Sequence, residues 1–357
     1  MTLARICAGR HWAITFALLG ILAIASAACS GEEPEQPDDA APAAQPSSAP
    51  ANELTVYSGR GESLIGPLIE RFEEVSGIAV RVRYGGTAEL ASAILEEGDR
   101  SRADVFYSQD AGALAALAEG GVLSQLPDEV VARVPKELVD ASGRWVATSG
   151  RARVLVVSTD RVADPPDSVF DLVDEEWRGR VGWAPTNASF QAFITAMRQI
   201  HGEDATENWL RGMLANDVVE YPKNSPIVQA VGDGEIDIGL VNHYYLHRFI
   251  ADDPNFPAFN HFTDAGAAGG LVNIAGVAVL KASRNSENAL RFVRFLLSEE
   301  GQTYFSDQTS EYPLTSEVDV PANLVPLADL DPPSLALTSL SDLEGTLELL
   351  RDVGALP

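Results

Sequence analysis

The chain has 357 residues, 46% of them apolar and 22% charged, which is ordinary for a soluble globular protein and enough for two lobes. A formal net charge of -27 argues against nucleic acid as a partner, because no basic stripe is present to neutralise phosphates. Lysine occurs only as Lys136, Lys223 and Lys281, so arginine carries nearly all the positive charge.

Residues 1–28 have the pattern of a signal peptide. Arg5 and Arg10 precede the run "AITFALLGILAIASAAC", which is too short and wrongly flanked for a spanning helix. Its small residues ending in Cys29 resemble a bacterial lipobox, so Cys29 is the expected lipidation site and anchor to a membrane. Ser26 departs from that motif, where an aliphatic residue is usual, and plain secretion is the alternative. With Cys7 removed and Cys29 acylated, no cysteine remains for disulfides or thiolate metal sites. The Pro/Ala-rich acidic stretch 29–52 cannot bury a core and is expected to be a disordered linker.

From Glu53 onward strands and helices alternate. "LTVYSG" (54–59) is a strand, and the helical pattern after it stops at Gly77. "IAVRVRYGG" is a second strand, followed by a helix with Thr87 as N-cap and Gly98 as its stop. "ADVFYS" and "DAGALAALAEGG" repeat the pattern. Residues 143–159 hold two strand-like runs, and "RVGWAP" is a strand before a helix that begins at Asn187. "ENWLRGML" is helical, "DVVEYP" a strand, "SPIVQAVGDGE" a helix and "IDIGLVNH" a strand. "GGLVNIAGVAVLKAS" has the pattern of a strand pair, and "SENALRFVRFLLSEEGQTYFSD" that of two packed helices. A last helix should pack on one lobe. This alternation predicts an α/β protein with a mostly parallel sheet covered on both faces.

Enzyme signatures are absent: there is no GxSxG elbow, and no lysine follows a glycine as a Walker loop requires. "YSGRGES" lacks the third glycine of a dinucleotide loop. It reads as a turn whose amides, with Arg60, face a cleft. In "HYYLH", His243 and His247 have the spacing of two zinc ligands on one helix face, but Tyr244 stands where HExxH needs its glutamate. Asn187, Asn224 and Asn242 open probable helices at the mouths of strands. They serve either as helix caps or, gathered at one cleft, as an anion site.

Seven stretches in order resemble the ferric-ion-binding solute-binding proteins of bacterial ABC importers. They are "LTVYSGRGES", "RSRADVFYSQDAGALAAL", "SGRARVLV", "RVGWAPTNASFQAF", "KNSPIVQAVGDGEIDIGLVNHYYLHRF", "AGVAVLKAS" and "EYPL". The resemblance implies a two-lobed periplasmic-binding-protein-like fold with mixed sheets and hinge strands. The N-lobe would take 53–146 and 272–315, and the C-lobe 147–271 and 316–357. It also implies Tyr244 and Tyr245 as ligands of Fe3+, a hard ion that favours anionic oxygen. A synergistic carbonate or phosphate would be held by Asn187, Ala188, Ser189, Asn224 and Asn242. Gly61 and Gln109 stand where relatives offer a histidine and a glutamate, so the N-lobe is expected to give no direct ligand. Arg60 and Arg151 are then the residues to hold a carbonate, and Asp110, next to Gln109, either substitutes for the missing glutamate or, more simply, caps a helix. The expected role is to capture ferric iron as a monomer outside the cytoplasm and deliver it to a membrane permease, with no catalysis. The same fold binding an oxyanion or small organic acid without metal is the alternative, and a zinc-dependent hydrolase a more distant one.

Overall fold

The computed structural model describes residues 52–263 and 266–357. The signal peptide, Cys29 and nearly all of the 29–52 linker lie outside them. Strands β1 (Glu53–Ser58), β2 (Ala79–Tyr84) and β3 (Val105–Ser108) alternate with helices α1 (Glu62–Ser76), α2 (Thr87–Glu97) and α3 (Ala111–Glu119). A single turn, α4 (Asp128–Val131), precedes the long strand β4 (Trp145–Ser158). Next come β5 (Val181–Trp183), α5 (Ala188–His201), α6 (Glu203–Ala215), β6 (Val219–Glu220) and α7 (Asn224–Asp233). They are followed by β7 (Ile238–Asn242), α8 (Tyr244–Asp252) and β8 (Ala258–His261). Then β9 (Val272–Val279), α9 (Ser286–Leu296), α10 (Glu299–Thr309) and α11 (Leu343–Asp352) complete the chain.

The strand order is β2-β1-β3-β9-β4-β7-β5-β6, with β8 also on β4. Parallel pairs link β1 to β2 and β3, and β5 to β6 and β7, while β9 and β4 run antiparallel to their neighbours. The result is a mixed sheet in two halves, one per lobe. Strand β4 belongs to both: residues 145–152 pair with β9, and residues 153–158 with β7 and β8.

Several sequence expectations are corrected here. The sheet is mixed rather than mostly parallel, because β4 and β9 run antiparallel to all their neighbours. Residues 143–159 form one strand, not two, with only a register shift between Ala147 and Ser149. Gly150 does not break it, because the missing side chain lets Tyr312 and Leu314 pack against the strand instead. Likewise "GGLVNIAGVAVLKAS" supplies the single strand β9, since both its edges are already paired by β3 and β4. Thr87 is the first residue of α2 and makes no cap bond, whereas Gly77 and Gly98 end their helices as expected.

Both halves contribute to one main apolar core. Phe72 packs edge-on against Phe292 at 5.0 Å in one, and Trp183, Phe190, Phe193 and Trp209 form a ring cluster in the other. The segment after α10 touches both. Leu337–Ser341 lies on α3, and α11 lies on α5, where buried Thr346 and Thr195 hydroxyls meet at 2.7 Å. At Gly112 of α3 a Cβ would overlap the Leu340 carbonyl oxygen. Gly112→Ala is therefore expected to push Leu337–Ser341 away and cost roughly 1–3 kcal/mol. A lower urea midpoint with an unchanged m-value checks this.

Candidate metal and anion site

At the carboxyl end of β7 the chain passes through Asn242 and His243 directly into α8, whose first two residues are Tyr244 and Tyr245. Their rings stack at 4.3 Å with 28° between planes, so both hydroxyls leave the helix on one side. Tyr244 is fully buried and Tyr245 half-buried. Burial first, then Tyr245 and Glu311, push the Tyr244 phenol well above its ordinary value against the pull of Arg151. The Arg248 guanidinium sits over both rings, 5.8 and 5.9 Å from their centres. From the other lobe, Gln109 Nε2 approaches the Tyr244 hydroxyl at 3.5 Å. Beside it, Asp110, Gly112, Ala188, Gln191 and Thr195 enclose a void of only about 20 Å3, near one water's width.

Of the flanking histidines, His243 has no ring nitrogen free for a metal. His243 is fully buried and uses both ring nitrogens: Nδ1 accepts from Ala152 N–H at 3.1 Å, and Nε2–H donates to the Ser310 carbonyl at 2.8 Å. Burial, then His247, lower its pKa to about 4, so it is neutral. Among the described residues no group of three or more His, Cys, Asp or Glu is placed to hold a metal. A zinc-dependent hydrolase would need such a group, whereas a tyrosine-based oxygen site would not.

Three of the small polar residues, Asn187, Ser189 and Asn224, meet, and Asn242 is not bonded to them. Asn187 caps α5, its Oδ1 accepting from Ser189 N–H at 3.0 Å and Ser189 Oγ at 2.6 Å. Asn224 Nδ2 reaches Ser189 Oγ at 3.3 Å and Asn187 Oδ1 at 3.5 Å. Ala188 opens the same turn. Capping accounts for Asn187 alone: Asn224 and Asn242 cap nothing, yet both are buried with an unpartnered amide atom. Buried polar groups without partners are costly, so caps are not why these two are there.

The two sequence-selected arginines differ. Arg60 is already engaged, its Nη1 and Nη2 donating to Glu311 at 2.9 and 2.5 Å, both side chains fully buried. Burial works against the Arg60 charge, but Glu311 holds its pKa above the ordinary value; in return Arg60 holds Glu311 below its own despite burial. Arg60 is thus a clasp to the "EYPL" segment, and Nε is its one nitrogen without a partner. Arg151 donates one Nη2–H to the Gln109 carbonyl and keeps Nε and Nη1 unpartnered. Asp110 caps α3 through Ala113 N–H at 3.1 Å, and Gly61 stands before α1 with open space beside it. A separate cavity of about 1470 Å3, lined by Asp140, Trp145, Leu327 and Pro333 among others, includes none of these residues.

Residues 101–334 match the model of the bacterial extracellular solute-binding protein family. The chain belongs to that family. The "Major ferric iron-binding protein" of Neisseria meningitidis serogroup B is 37% identical over 308 residues, 85% of this solute-binding protein and 93% of the relative. The "Fe(3+)-binding periplasmic protein" of Serratia marcescens is 30% identical, over 85% and 90% of the two chains. The crystal structure of iron-bound HitA from Pseudomonas aeruginosa superposes with a TM-score of 0.81 at 36% identity, covering 85% of this chain and 99% of that one. The protein is thus an extracytoplasmic binding protein of the two-lobed type, not an enzyme. Among its described residues no helix is long and apolar enough to cross a membrane.

Two site residues of this solute-binding protein escaped the sequence. Glu311, the partner of Arg60, lies too far along the chain for any local pattern to pair them. Arg153 sits in "SGRARVLV" two residues after Arg151, and alternation along a strand was the available signal.

Proposed function

We propose that this solute-binding protein captures ferric iron with a synergistic anion and presents it to an ABC permease. The stacked Tyr244–Tyr245 pair carries the reading. Two phenolates and an oxyanion suit a hard trivalent ion, and the donors left without acceptors around them suit the anion. Asn187, Ala188, Ser189, Asn224, Asn242 and Arg151 would hold that anion, carbonate or phosphate, with a smaller part for Arg60, which Glu311 already engages. Lobes formed by 53–146 with 272–315 and by 147–271 with 316–357 would close about β4, and the closed shape is what a permease could distinguish. Cys29 would tether the monomer to the membrane by lipid.

The test is to strip the protein, add Fe3+ with carbonate, phosphate or citrate, and look for the visible tyrosinate-to-iron charge-transfer band. Its absence with all three anions would sink the reading. The unpartnered donors also suit an oxyanion without metal; in that case the anion alone stabilises the protein and Tyr244→Phe leaves its binding unchanged.

A proton count follows from Tyr244. Because its pKa is raised, Tyr244 is a neutral phenol at neutral pH and must lose its proton to bind iron. Iron uptake in weakly buffered solution should release at least one proton per ion. Apparent affinity should fall at least about tenfold per unit of pH lowered. Affinity that is flat between pH 6 and 8 would remove Tyr244 from the ligand set.

A further inference from the structure

Strand β4 presents Arg151 and Arg153 on the same face, two residues apart. Arg151 stands opposite Asn273 of β9, and Arg153 opposite Asn242 of β7. All four side chains are at most 4% exposed, and each has an N–H group with no partner: Nε and Nη1 of both arginines, Nδ2 of both asparagines. A row of donors lacking acceptors is complementary to negative charge.

Arg153 is the least compensated of them. Its Nη2 donates to the Leu240 carbonyl at 3.0 Å, which fixes the guanidinium. Its charge lies 5.6 and 5.0 Å from the ring centres of Phe190 and Phe193, on the helix whose first turn carries Ala188 and Ser189. Among the described residues no carboxylate pairs with it, in contrast to Arg60. The one ionisable group with a resolved influence on it is Tyr245; burial lowers its pKa to about 9, so it stays charged at neutral pH. A buried charge without a counter-charge is costly, and ring contacts return only part of that cost. The stripped protein carries this imbalance, and a negative cargo complex relieves it.

We propose that Arg153 selects the cargo by charge, favouring ferric iron bound with a dianionic oxyanion or dicarboxylate over iron bound with a monoanion. Fe3+ with two phenolates leaves one positive charge; a monoanion neutralises it, whereas a dianion makes the complex negative. The proposal rests on the ferric reading above. It adds a residue and a discriminating property to that reading.

The experiment compares wild type, Arg153→Met and Arg153→Lys, each stripped and then given Fe3+ with oxalate or with acetate. Stripped Arg153→Met should melt at or above the wild-type midpoint, because the uncompensated charge is gone. Its ferric affinity should fall about tenfold or more with oxalate, and by less than about threefold with acetate. Arg153→Lys should restore most of the oxalate preference, and the charge-transfer band should shift in Arg153→Met because the cation near Tyr245 is lost. Equal losses with both anions, or a stripped Arg153→Met protein that melts well below wild type, would overturn charge selection and leave a structural arginine. A wild-type band with no change in Arg153→Met overturns this proposal alone. No wild-type band with any anion removes the ferric reading and this proposal together.

Discussion

Tyr244→Phe is expected to weaken ferric binding by roughly 30- to 4000-fold, the effect of removing one buried partner of a charge pair at about 2–5 kcal/mol. The change deletes one oxygen and leaves the ring, so its stack on Tyr245 and its packing against His243 persist. The hydroxyl meets Gln109 only at a long 3.5 Å and otherwise interacts with Tyr245, so little folding energy is lost with it. The stripped variant should accordingly melt within a few degrees of wild type, while the charge-transfer band weakens. Tyr245→Phe should act similarly on iron, and the double variant should show no band. Isothermal titration of stripped protein against ferric citrate measures the loss. An undiminished affinity in Tyr244→Phe would leave the fully buried phenol as core packing.

The second large effect concerns stability. Glu311→Gln should destabilise the protein by about 3–5 kcal/mol, because it strands the Arg60 guanidinium without its counter-charge. In a chain of this size that lowers the melting midpoint on the order of 10 °C. Arg60→Met combined with Glu311→Gln should recover much of the loss, since an absent pair is cheaper than a broken one. The pH dependence has a definite sign. Glu311 titrates below its ordinary value of 4.5 when folded, so the unfolded chain binds its proton first on acidification. The pair's contribution is complete above pH 4.5 and is lost as pH falls through the lower folded value. Wild type should therefore lose stability in that acid window, and the double variant should lose less.

The alternation of elements and most of their ends were legible in the sequence because local signals set them. Gly77 leaves α1 in a left-handed conformation, Asp110 and Asn187 cap α3 and α5, and the apolar runs of β1, β3 and β7 fall where expected. The errors occurred where distant pairing overrode local pattern. Gly150 looked like a break, but β4 continues because β9 and Tyr312 flank it on both sides. The glycines before and within β9 suggested a turn, yet the neighbouring strands hold that stretch extended. At the site, Tyr244, Tyr245 and the residues Asn187, Ser189 and Asn224 were named through a family resemblance, because residue type and position alone read equally as core and helix caps. The engagement of Arg60 could not be foreseen, because it depends on Glu311 arriving from the far end of the chain. Nor could the isolation of Arg153, which is defined by which carboxylates the fold keeps away from it.

The topology also constrains the order in which this protein can fold. Strand β3 ends at Ser108, but its antiparallel neighbour β9 begins only at Val272, after the whole second half-sheet. Until that stretch is made, the apolar Val105–Ser108 segment is an open edge able to pair with any other extended chain. Closing so long a loop also slows the step that covers it. The second half-sheet has its strands within one continuous stretch and can form without the rest, so the first half is the part exposed to aggregation until β9 is in place.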